Sequence, residues 1–129
     1  MKYITIEEVK KHFSKGIKKV VGLTPETEEI YFYCKDGTVI LMYHSQDCCE
    51  NVRLYEDDCL INHTDIFTDC DWWQIQETIR EDENAVESAT WTYYNFKTNK
   101  GYDNMRWLGE SNGYYSESVD FAIVKKQEI

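Results

Sequence analysis

The chain has 129 residues, of which 42% are apolar and 15% aromatic, and its formal net charge is −10. This length suits one domain with its own core, so we expect a single domain over residues 1–129. The aromatic content excludes a disordered acidic tail. The longest apolar runs have five residues, far short of the roughly 20 that a membrane-spanning helix needs. The negative charge argues against direct binding of nucleic acid.

The N-terminal sequence and the cysteines predict a cytoplasmic protein. Glu7 and Glu8 follow the start before any apolar stretch of signal-peptide length. The five cysteines are an odd number and two are adjacent, which is typical of a reducing compartment rather than a disulfide framework. We interpret all five as free thiols: Cys34, Cys48, Cys49, Cys59 and Cys70.

The first predicted element is a short amphipathic helix over residues 6–15. Thr5 and Glu8 have the spacing of a capping box, in which the threonine side chain accepts a backbone N–H of the first turn. Val9 and Phe13 lie four positions apart and share one face. The pattern therefore places an N-terminal helix against the core.

A β-hairpin is predicted around Asp36-Gly37, a dipeptide typical of two-residue type I′ turns. Such a turn would place Cys34 opposite Val39. Both flanking runs are apolar on both faces, which indicates a central position in a sheet.

The remaining segments predict more strands. Residues 51–55 are compatible with a short strand, and residues 72–80 with either a strand or a helix. A three-stranded meander is expected over residues 91–98, 102–110 and 114–124. A three-residue loop before its last strand would pair Met105 with Val119. The predicted class is α+β, with antiparallel hairpins, a meander and the short N-terminal helix.

The excess negative charge is concentrated in residues 46–90, which contain thirteen acidic residues and only two arginines, so that the net charge of this segment is −11. This segment is either a solvated surface that keeps the domain soluble or a surface complementary to a basic partner. A tryptophan pair beside the acids could supply the buried anchor of such an interface. The candidate partner-binding residues are Asp57, Asp58, Asp69, Asp71, Trp72, Trp73, Glu81, Asp82 and Glu83.

Catalytic and metal-binding patterns are weak. Ser111 lies in a Gly-x-Ser-x-Gly pattern, but a strand is expected after it and no histidine follows to complete a triad. His44 with the adjacent Cys48 and Cys49 lacks the cysteine spacing of a structural zinc site. We therefore expect a binding protein without enzymatic activity, metal or cofactor.

Two segments resemble the signature motifs of a small phage-borne domain family of unknown function. They are His-Ser-Gln-Asp-Cys-Cys-Glu at 44–50 and Gly-Glu-Ser-Asn-Gly-Tyr-Tyr-Ser-Glu-Ser-Val at 109–119, and the resemblance extends over residues 16–124. It implies a compact, mostly β fold, a phage or prophage origin and no established enzymatic activity. It also marks two turns that could form one ligand site: His44, Asp47, Cys48, Cys49, Glu50, Glu110, Ser111, Asn112, Tyr114 and Tyr115.

The resemblance and the acidic segment together favour a phage accessory protein that inhibits a host defence protein in the host cytoplasm. Its carboxylates would imitate nucleic acid on a basic surface, such as the channel of a CRISPR effector, as an anti-CRISPR protein does. One alternative is a protein that sequesters a nucleotide-like signal, with Tyr114, Tyr115 and Trp107 stacking on the base. Another is an immunity protein for a basic toxin. The sequence does not define the oligomeric state.

Overall fold

The computed structural model describes residues 1–24, 26–55 and 68–124. The elements in these ranges are β1 (Lys2–Ile4), α1 (Ile6–Phe13), β2 (Ile17–Val21), β3 (Glu29–Cys34), β4 (Val39–Tyr43), β5 (Asn51–Leu54), β6 (Trp73–Glu81), β7 (Ser88–Thr98), β8 (Gly101–Ser111) and β9 (Asp120–Val124). Strands account for 54% of the structure and helix for 7%. The predicted α+β class is therefore wrong, and the fold is nearly all-β. Period-two patterns of β-branched and aromatic residues dominate the chain after α1.

The strands form two antiparallel sheets. The five-stranded sheet has the order β1-β9-β4-β3-β2, and the four-stranded sheet has the order β5-β8-β7-β6. Inward-facing aromatic side chains join the two sheets in one core. The ring centroids of Phe32 and Phe96 are 6.3 Å apart, and those of Phe32 and Trp73 are 5.7 Å apart. Burial of such large rings dominates the stability of a domain of this size.

The N-terminal helix confirms the capping prediction. The Thr5 side chain accepts the Glu8 N–H at 3.3 Å, and Val9 and Phe13 are buried. The ring of Phe13 meets Trp73 edge-on at 5.4 Å, so α1 packs against β6. In the described residues, no helix combines the length and apolar character needed to cross a bilayer.

The β3–β4 hairpin forms as predicted, but its register differs by one residue. Tyr33, not Cys34, is opposite Val39. The Gly37 N–H donates to the Cys34 carbonyl at 3.1 Å, and Gly37 has a φ of 91°. The turn is thus a three-residue loop in which glycine occupies the left-handed position. The predicted two-residue turn is wrong because Asp-Gly serves both loop lengths.

The predicted meander is wrong in its third strand. β7 and β8 pair as a hairpin, but β9 inserts between β4 and β1 in the other sheet. Met105 is opposite Tyr94 rather than Val119. The physical reason is that Phe121–Val124 is apolar on both faces, which suits an interior strand. Residues 51–55 contain the short strand that the sequence allowed, and this strand, β5, pairs with β8. The ambiguous segment 72–80 is a strand.

Candidate functional site

The two motif segments are the connections through which the chain changes sheets. Residues 44–50 lead from β4 to β5, and residues 112–119 lead from β8 to β9. The Nδ1 atom of His44 lies 2.7 Å from the carbonyl oxygen of Ser118. The structure therefore brings together the two turns that the resemblance marked.

Glu50 is a buried carboxylate that organises the first connection. Its Oε1 atom accepts the backbone N–H of Asp47 at 2.5 Å, and its Oε2 atom accepts that of Cys48 at 3.1 Å. The Asp47 bond is the main cause of a pKa lowered from 4.5 to about 2; desolvation opposes it, and the His44 and Cys48 contacts reinforce it. Glu50 is therefore ionised at neutral pH.

His44 is the side-chain partner of Glu50. Its Nε2 atom lies 3.0 Å from Glu50 Oε1, while Nδ1 lies 2.7 Å from the Ser118 carbonyl oxygen. The imidazole ring is therefore held between the two connections, with an oxygen atom at hydrogen-bond distance from each nitrogen. The side chains of His44 and Glu50 are 3% and 0% exposed. This pair is placed to hold the connection in position rather than to exchange protons with a substrate.

Cys48 and Cys49 form a disulfide between adjacent residues, with the sulfur atoms 2.12 Å apart. The prediction of free thiols is therefore wrong for this pair, because the turn around the Glu50 carboxylate brings together side chains that would otherwise diverge. Cys34 and Cys70 are buried thiols, as the prediction of thiols requires for these two. Cys59 lies outside the described residues.

Glu117 is a second buried carboxylate, on the other connection. Its oxygens accept the hydroxyl of Ser111 at 2.5 Å and that of Thr90 at 2.6 Å. Desolvation raises the pKa of Glu117, but hydrogen bonds, with Ser111 first, outweigh it and lower the pKa below its ordinary value. Gly109 makes room for this connection, since a Cβ there would lie 2.5 Å from the Glu117 carbonyl oxygen.

A cleft of about 760 Å³ lies beside the two connections, between them and the β6–β7 turn. Its lining includes residues 49–51, 85–89 and 110–112 together with Asp82. Small-molecule sites and side-chain pockets have volumes of this order. Both motif segments and the β6–β7 turn thus contribute to one concave surface.

The cleft is acidic. Asp82, Glu87 and Glu110 line it, and no lysine or arginine is among its described lining residues. Glu110 pairs with Arg53 at 2.8 Å, and Asp82 accepts the indole N–H of Trp91 at 3.2 Å. Within the ranges that the structure describes, Glu87 makes no ion pair, so its charge remains available to a ligand.

The candidate partner-binding residues occupy two ends of the four-stranded sheet. Asp69 and Asp71 share the ammonium of Lys35 at 2.9 and 3.2 Å, which offsets one of their two formal charges. Glu81, Asp82 and Glu83 lie at the opposite end, around the β6–β7 turn. Asp57 and Asp58 lie outside the described residues. The described candidate acids are therefore divided between two ends of the sheet.

The candidate aromatic residues have different environments. Trp73 is a core residue with 1% exposure, and Trp72 is half-buried. Tyr114 is exposed and its ring centroid lies 6.5 Å from that of Tyr115, whereas Trp107 is fully buried in the core. The structure does not bring Trp107 onto a surface shared with the two tyrosines.

The fold defines a protein of two packed antiparallel sheets, with both sheet changes secured by buried carboxylates. The chain belongs to DUF7448, a domain of unknown function, which matches residues 4–121. The resemblance to a domain of unknown function is thereby confirmed. No curated protein and no solved structure matches the chain.

Several functional candidates could not be recognised before the structure. Glu117 is one of many acids in the sequence, and only its burial beside Thr90 distinguishes it. No sequence pattern marked Val86 as a candidate, yet its side chain is fully exposed on the rim of the cleft. In the described ranges, no cluster of histidine, cysteine and carboxylate groups is arranged to hold a metal ion.

Proposed function

We propose that this protein is a binding protein that receives a basic segment of a partner protein in the acidic cleft. The observation that carries the proposal is the convergence of both motif segments with the acidic β6–β7 turn on one cleft. Four acidic residues line the cleft, Glu50, Asp82, Glu87 and Glu110, and no lysine or arginine is among its described lining residues, which favours a cationic ligand.

The surroundings of the cleft favour a protein over a small cation. Val86 is fully exposed on its rim, and Ile79 on the preceding strand is 62% exposed. Apolar side chains beside carboxylates are suited to a partner surface that carries both alkyl and cationic groups. Lysine and arginine side chains present both.

Binding rather than catalysis is supported by the state of the nucleophile and base candidates. The Ser111 hydroxyl donates to Glu117, and both nitrogens of His44 are occupied by oxygen acceptors. A catalytic serine needs an imidazole as base at hydrogen-bond distance.

The finer proposal is a phage or prophage accessory protein that inhibits a host defence protein in the host cytoplasm. The phage-like motifs support the origin, and the acidic hairpin end supports contact with a basic nucleic-acid channel. An immunity protein for a basic toxin would use the same cleft, so the identity of the captured partner separates these roles.

Two matched sets of charge substitutions test the cleft. Glu87→Gln with Glu110→Gln removes two carboxylates that line the cleft and should weaken binding of a fluorescent arginine-rich peptide roughly tenfold at low salt, measured by anisotropy. Asp69→Asn with Asp71→Asn, at the other end of the sheet, should change it less than about twofold. Equal losses of affinity in the two variants would show that binding depends on total charge and not on the cleft. A wild-type protein that does not bind the peptide would also reject the proposal.

A further inference from the structure

The outer face of the four-stranded sheet differs in chemistry from the rest of this acidic protein. Side chains alternate along β6, β7 and β8. On β7, Tyr94 and Phe96 face the core, whereas Tyr93, Asn95 and Lys97 face outward. The outward side chains combine aromatic rings with cations: Trp91, Tyr93, Tyr102, Arg80, Lys97 and Arg106.

The centre of this face is a cluster of rings around one guanidinium. The Cζ atom of Arg106 lies 4.8 Å from the ring centroid of Tyr55 and 5.5 Å from that of Trp91. Trp91 stacks on Tyr93 with centroids 6.4 Å apart and an interplanar angle of 26°. These contacts hold flat, partly exposed surfaces in place on a rigid sheet, as a stacking platform requires.

A cleft of about 690 Å³ lies on the same face, toward α1. Lys10, Lys97 and Tyr102 line it, together with four amide side chains: Gln74, Gln76, Asn95 and Asn104. No carboxylate is among these described lining residues. Amides can bind the hydrogen-bonding edges of bases, and ammonium groups can bind phosphates.

Among the described residues, Asp82 and Glu110 lie at the end of this face near the β6–β7 turn, where they contact Trp91 and Arg53. Eight residues of extended chain separate Gln74 from Asp82, a distance of about 26 Å. Salt screens charges beyond about 8 Å at physiological ionic strength. These two carboxylates are therefore largely screened from Lys97 and Tyr102.

We propose that this outer face binds single-stranded nucleic acid, with bases stacked on Tyr102, Tyr93 and Trp91 and phosphates near Lys97, Arg80 and Arg106. The levels of Tyr102 and Trp91 are about 20 Å apart along the strands. Four-stranded RNA-recognition sheets stack about two or three bases in this manner. An acidic peptide would use the cations, but it would leave the aromatic rings without a function.

The test is anisotropy of a fluorescent oligouridylate of about eight nucleotides at low salt. Lys97→Glu with Tyr102→Ala should weaken its binding at least roughly tenfold. Lys18→Glu with Tyr114→Ala makes the same changes at exposed positions elsewhere and should alter binding less than about twofold. The single Lys97→Glu variant should lie between them, and unchanged melting temperatures would show that all variants fold.

Four results would overturn the proposal. The first is a wild-type protein that does not bind the oligonucleotide, and the second is an equal loss of binding in both double variants. The third is displacement by a polyglutamate peptide that is as effective as displacement by unlabelled oligonucleotide. The fourth is binding of uridine monophosphate that is as tight as binding of the oligonucleotide. The cleft variant with glutamine at 87 and 110 should retain oligonucleotide binding. The experiments can therefore reject the proposal for the acidic cleft and the proposal for the sheet face independently.

Discussion

The two connections between the sheets solve the same problem with different chemistry. Each buries a carboxylate where the chain leaves one sheet for the other, Glu50 in the first connection and Glu117 in the second. Glu50 is held by two backbone N–H groups and the imidazole of His44. Glu117 is held by the hydroxyls of Ser111 and Thr90.

The difference lies in what the partners can do when the carboxylate changes. Backbone N–H groups only donate, and their directions are fixed by the fold. A hydroxyl can rotate and act as an acceptor instead. The Glu50 connection should therefore require a negative charge, whereas the Glu117 connection should tolerate a neutral amide.

The largest expected effect is that of Glu50→Gln. The amide removes the negative charge and places an N–H₂ group against the backbone N–H donors of Asp47 and Cys48 in a buried site, so the melting temperature should fall by roughly 10 °C. Thermal unfolding followed by circular dichroism measures this. Asp47→Asn is the matched control, because only its backbone N–H takes part. A Glu50→Gln protein as stable as the wild type would show that the charge is not needed.

The loss of stability at acidic pH should also depend on Glu50. Because the pKa of Glu50 falls from 4.5 to about 2 on folding, its contribution is complete above about 4.5 and is lost as the pH falls through about 2. Denaturant unfolding across this window should show a steeper loss for the wild type than for Glu50→Gln. Asp36 and Glu117, whose pKa values are also lowered, contribute equally to both proteins. Parallel curves would contradict the assignment.

The smallest effect is expected for Glu117→Gln. Ser111 and Thr90 can reorient toward the amide, so the melting temperature should fall by only about 3–5 °C. Ser111→Ala removes one donor and should have a similar effect, about 1–2 kcal/mol in the free energy of unfolding. If Glu117→Gln were as damaging as Glu50→Gln, the distinction between fixed and rotatable donors would not hold.

Local signals in the sequence predicted the local structure correctly. The Thr5 cap fixed the start of α1, and the turn residues between β-rich runs predicted the β3–β4 and β7–β8 hairpins. The register of the first hairpin was not determined, because Asp36-Gly37 occurs in both two-residue and three-residue loops. Only the position of Gly37 in the folded turn distinguishes them.

Long-range features were less accessible from the sequence. The insertion of β9 beside β4 joins segments distant in the chain, and no turn connects them. The apolar character of both faces of Phe121–Val124 was the available signal for an interior strand. Similarly, total charge concealed the separation of acids and cations onto different surfaces. Reading alternate residues of β7 and β8 separately would have revealed the cationic, aromatic face.

The place of β9 in the five-stranded sheet has a consequence for biosynthesis. Leu41 on β4 pairs with Ala122 on β9, and the neighbour of β1 in the sheet is β9. A growing chain that has exposed β1 to β4 but not yet residue 120 carries an unpaired apolar strand edge. Pairing across such a long separation is slow and open to aggregation. Efficient production of this protein should therefore depend on protection of the β4 edge until the C-terminal strand is available.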